Sequence, residues 1–104
     1  MTGGPPIYHC SIVHRVVVQI RFAEAEGERR PVSASTRRGG TGARVTLEVE
    51  REAVAAGAIH VLYRTGAARP VIAGSVCRDR VQAALSGLGE AGAAWRIACI
   101  PIGD

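Results

Sequence analysis

Between Tyr8 and Ala23 the side chains alternate without a break. Cys10, Ile12, His14, Val16, Val18, Ile20 and Phe22 fall on one face. Ser11, Val13, Arg15, Val17, Gln19 and Arg21 fall on the other. A period of two over this length predicts a strand, with the first face toward the core. The second face is polar apart from Val13 and Val17, which predicts an outward surface that is partly covered.

The pattern breaks at residues 24–43. Glu24 to Pro31 is charged, and Ser33 to Gly42 is rich in Ser, Arg and Gly, so the whole stretch reads as one long basic loop, with Val32 to Thr36 open as a short edge strand. Alternation returns at Arg44 to Glu50, with Val45, Leu47 and Val49 inward. Arg51 to Ala56 is helix-compatible and ends at Gly57, a glycine suited to the left-handed residue after a helix. Ile59–Arg64 and Arg69–Ala73 read as strands, Pro70 standing at the start of the second, where proline is tolerated. Ser75 is a good N-cap for a helix over 75–89. Val76, Cys77, Val81, Ala84, Leu85 and Leu88 make its apolar stripe. Trp95 to Ile102 reads as a last strand with apolar residues on both sides.

These elements predict an α+β fold: two layers, with a mostly antiparallel four- to five-stranded sheet and one main helix. The last six elements follow the ferredoxin-like order, although the first crossover is short for a βαβ unit. Residues 1–6 read as a flexible tail and 7–104 as a single domain. No internal repeat is apparent.

Composition narrows the function. Hydrophobic residues make up 47% of the 104 and charged residues 21%, which excludes a wholly disordered chain. Aromatic residues are only 4%, against a stacking platform for single-stranded nucleic acid. No apolar run is long enough to span a membrane, and Met1-Thr-Gly-Gly-Pro-Pro lacks a signal-peptide pattern, so a cytoplasmic protein is expected. The three cysteines fit reduced thiols. Net charge is +4 and all thirteen basic residues are arginine. That composition also follows from GC-rich coding bias.

No motif names a reaction, cofactor or metal. His9, Cys10 and His14 resemble ligand spacing, but Cys10 and His14 stand about 13 Å apart on a strand. One zinc ion cannot bridge that span without a bend. Cys77 is the best-placed thiol, within the first turn of a helix. The primary expectation is a non-enzymatic interaction or regulatory module working by protein–protein contact, self-associating or part of a larger assembly, with Val13 and Val17 at the contact. The alternative is nucleic-acid binding through the Arg/Gly-rich stretch, using Arg29, Arg30, Arg37, Arg38 and Arg44. A third reading places a small enzyme or an anion site at the helix start, with Ser75, Arg78 and Arg80.

Overall fold

A computed structural model describes residues 14–37, 45–65 and 70–103. Six strands and two helices follow one another: β1 (Arg15–Ala25), β2 (Glu28–Ser35), β3 (Val45–Glu50), α1 (Arg51–Ala56), β4 (Ala58–Tyr63), β5 (Val71–Ser75), α2 (Arg78–Ser86) and β6 (Arg96–Gly103). A 3-10 turn, Gly89–Ala94, leads from α2 to β6. The sheet order is β3-β1-β2-β6-β4-β5, and its two edges meet to give a nearly closed, mixed barrel.

This overturns the expected two-layer α+β fold with its four- to five-stranded sheet and one main helix, and with it the ferredoxin-like order. The main cause lies at residues 24–43, which do not form one loop. Glu26 (φ 55°) and Gly27 (φ 78°) both take left-handed backbone, making the two-residue hairpin turn whose twist suits flanking strands. β2 then returns along β1, from Ala25↔Glu28 to Gln19↔Ser35. Asn-Gly or Asp-Gly would have announced such a turn; Glu-Gly does not. β2 also lacks alternation, because Val32 is a bulge between Pro31 and Ser33.

The barrel is one three-stranded unit used twice: β3-β1-β2, then β6-β4-β5. The central strands β1 and β4 correspond, as do β3 and β6. The pair Arg15↔Glu50 matches Ala58↔Pro101, and Ile20↔Val45 matches Tyr63↔Arg96. Even the bonds just beyond the ladders agree: Arg51 N–H to the His14 carbonyl at 3.0 Å, and Ile102 N–H to the Gly57 carbonyl at 2.8 Å. Both hairpins carry a bulge on the second strand, at Val32 and at Ile72. The repetition is one of strand order and register, not of residues.

The core fills the barrel. Val18, Ile20, Val49, Ile59, Val61, Tyr63 and Ile100 are buried within it. α1 lies across the end where β3 stops and β4 starts, with Ala53 fully buried, and Gly57 (φ 79°) lets the chain turn straight into β4. α2 covers the outside of β4 and β5, burying Leu62 and Val81. β4 is therefore covered on both faces, with His60 the polar residue on the outer one. Neither α1 nor α2 lies across the opposite end of the barrel, where β6 begins beside Tyr63.

Candidate functional site

α2 begins later than expected. Ser75 ends β5, and Cys77 is the N-cap residue, with no side-chain capping bond. Ser75 and Glu50 are both buried, at 4% exposure each. The Ser75 hydroxyl donates to Glu50 Oε2 at 2.6 Å and accepts the Cys77 N–H at 3.0 Å. The Val76 N–H donates to Glu50 Oε1 at 3.1 Å, and Arg80 reaches Oε2 at 3.5 Å. Burial pushes the Glu50 carboxyl up. The Ser75 and backbone hydrogen bonds and the Arg80 charge outweigh it and hold the group below its ordinary value. The expected anion site at Ser75 and Arg80 thus already holds a carboxylate from the chain itself. Arg78, the first residue of α2, is exposed and takes no part in this arrangement.

Glu50 was missed because alternation along β3 places it outward, where a carboxylate is ordinarily solvated. Its burial depends on α2, which reaches over from the far edge of the sheet.

The second place is the mouth of the barrel. A cavity of about 340 Å³ opens there between the first hairpin and the ends of β4 and β5. Phe22, Glu24 and Arg29 line it from the first hairpin, and Arg64, Thr65 and Pro70 from the second. The Arg29 guanidinium lies over the Phe22 ring, 5.2 Å from its centroid. Arg64 lies over Trp95 at 5.5 Å. Neither guanidinium has a carboxylate within ion-pair distance among the described residues. Arg64 gave no signal in the sequence, because nothing local marks the residue after a strand as facing a distant hairpin.

Arg29 and Arg30 stand on β2 and not on a loop, and their alternation sends them to different surroundings. Arg30 donates to Glu28 Oε2 at 2.7 Å, which lowers the Glu28 carboxyl. Arg37 is exposed, its N–H bonded to Ser35 Oγ at 3.1 Å. Val13, Arg38 and Arg44 lie outside the described residues, as do His9 and Cys10 and the expected tail. Among the described residues no group of His, Cys, Asp or Glu is clustered to hold a metal ion. Cys77 and Cys99 are exposed free thiols.

The third place is the outer face of β3-β1-β2. Val17 stands on it at 54% exposure, paired across the ladder with Glu48. Gln19, Thr46, Ser33 and Ser35 share that side by register. Neither helix packs on it. The corresponding face of β4 and β5 is the one α2 covers.

No family model, curated protein or solved structure matches this chain. What the described residues define is a small mixed β-barrel with a helix across one end, and with a mouth and one sheet face that no described helix covers. No helix among the described residues is long and apolar enough to cross a membrane, which leaves strand-built spans unaddressed.

Proposed function

We propose that the protein is a non-enzymatic interaction module that works by protein–protein contact, pairing with a second copy of itself through the outer face of β3-β1-β2. The observation behind this is Val17, exposed at 54% in the middle of that face. On the same side Gln19, Thr46, Ser33 and Ser35 are uncharged, while Glu48 pairs directly with Val17, and Arg15 and Arg21 stand along β1. A chain of net charge +4 that is rich in arginine repels its own copies over most of its surface. A face of mixed and nearly balanced charge is where two copies meet with least repulsion, and a two-fold contact sets the same patch against itself.

The test is light scattering coupled to size exclusion, with the wild type and Val17→Glu. The wild type is expected at the mass of a dimer or a higher closed assembly. The variant is expected at the mass of one chain, with an unchanged circular dichroism spectrum, because Val17 contributes little to the core. A wild type that stays monomeric at about 0.5 mM, a concentration adequate for even a weak sub-millimolar pair, overturns the reading.

A further inference from the structure

We propose that the mouth between the two hairpins binds a small organic anion. Its carboxylate or phosphate head is held between Arg29 and Arg64, and its body rests against Phe22 and Pro70. This inference does not depend on self-association, since the mouth and the outer face of β3-β1-β2 are different surfaces.

Four observations carry it. The cavity of about 340 Å³ falls within the range of small-molecule pockets. Both guanidiniums are positioned by aromatic rings, Arg29 by Phe22 at 5.2 Å and Arg64 by Trp95 at 5.5 Å. Stacking occupies the flat face of a guanidinium and leaves its in-plane N–H donors available, the geometry that suits an oxyanion. Arg30, Arg80 and Arg96 are each within 4 Å of a carboxylate, whereas Arg29 and Arg64 have no such partner among the described residues. The lining is also divided by chemistry. Arg29, Arg64, Glu24 and Thr65 supply the polar part, and Phe22 and Pro70 the apolar part.

Charge narrows the ligand further. Among the described lining residues Arg29 and Arg64 outnumber the one carboxylate, Glu24, which suits an anionic head. Glu24 remains available to accept a hydrogen bond from a ligand hydroxyl or amine.

Trp95 is the chain's single tryptophan and touches Arg64, so its fluorescence reports on the clamp. The full-length protein is titrated in separate arms with benzoate, phenyl phosphate, inorganic phosphate and a single-stranded oligonucleotide, and isothermal calorimetry checks each arm. A saturable response to benzoate or phenyl phosphate is expected, and the arm that responds names the head. Arg29→Gln and Arg64→Gln should each weaken it about tenfold, the loss of one charge-assisted contact, with thermal unfolding unchanged. Four outcomes overturn the proposal: no saturation by about 10 mM of either organic anion; equal affinity in wild type and both variants; inorganic phosphate bound as tightly as phenyl phosphate, which removes the role of Phe22 and Pro70; or a response to the oligonucleotide alone.

Discussion

Thr36 and Val76 each follow a serine at the end of a strand, and each sends its N–H across a seam of the barrel. Thr36 donates to the Gly103 carbonyl at 3.2 Å, and Val76 to the Glu50 carboxylate at 3.1 Å. The serines themselves agree: Ser35 Oγ accepts from Arg37 N–H at 3.1 Å, and Ser75 Oγ from Cys77 N–H at 3.0 Å. The seams nevertheless close differently. β2 and β6 are joined by parallel backbone pairing at Ala34↔Ile102 and Ser35↔Gly103. β3 and β5, which run in the same direction, have no ladder. There Leu47 and Val49 press against Gly74, and Glu50 spans the gap. A backbone bond needs no particular side chain, so the first seam tolerates substitution. The second depends on one carboxylate and on the missing side chain at Gly74.

Removing Glu50 is the largest test of that difference. Glu50→Ala strands the Ser75 hydroxyl and the Val76 N–H in a buried place and should cost about 3 kcal/mol in denaturant unfolding. A loss below about 0.5 kcal/mol, the size of an ordinary surface change, would mean the seam is held by Leu47, Val49 and Gly74 alone.

The two serines allow the same change on both sides. Ser75→Ala should cost about 1–2 kcal/mol, since it removes buried hydrogen bonds. Ser35→Ala should stay within about 0.5 kcal/mol, because its Oγ bond is exposed and the seam there is backbone. Equal losses in equilibrium unfolding would erase the distinction between the seams.

Acid should act chiefly on the β3–β5 seam, because Glu28 at the other seam is also lowered but lies exposed, where pairing contributes little. Glu50 sits below its ordinary value in the folded barrel, so the unfolded chain takes up its proton first as pH falls. The stability Glu50 contributes is therefore complete at neutral pH and is lost progressively below about 4.3. In Glu50→Gln the pH dependence of unfolding between neutrality and pH 3 should be shallower than in the wild type. Parallel curves would show that the acid-sensitive carboxylate lies elsewhere.

The smallest effect is expected where ion pairs bridge the splayed end of β2 and β6. Glu28 is 2.7 Å from Arg30 and 3.9 Å from Arg96, all at the surface. Exposed pairs trade modest attraction for side-chain entropy and salt screening. Glu28→Gln should leave the melting temperature where it is, and a clear drop would show that these pairs help to shut the seam.

Much of this barrel is written locally. The alternation from Arg15 to Phe22 marks β1, that of Val45 to Val49 marks β3, and Gly57 marks the end of α1, because period and backbone conformation depend on near neighbours. Of what that reading assigned to the interior, Val18, Ile20 and Val49 are buried, Val16, Phe22, Val45 and Leu47 are partly buried, and His14, just before β1, is exposed. β2 was not legible, since its Glu-Gly turn and the bulge at Val32 hide the period. The repeat was not legible either, because corresponding strands keep their register and not their residues.

Tertiary structure alone decided the rest. The burial of Glu50 depends on α2 crossing a seam, and the mouth depends on two hairpins distant in sequence meeting at one end of the barrel. Both arise from the order in which strands close a barrel. That order is set by packing across the whole molecule, and no single stretch of chain contains it.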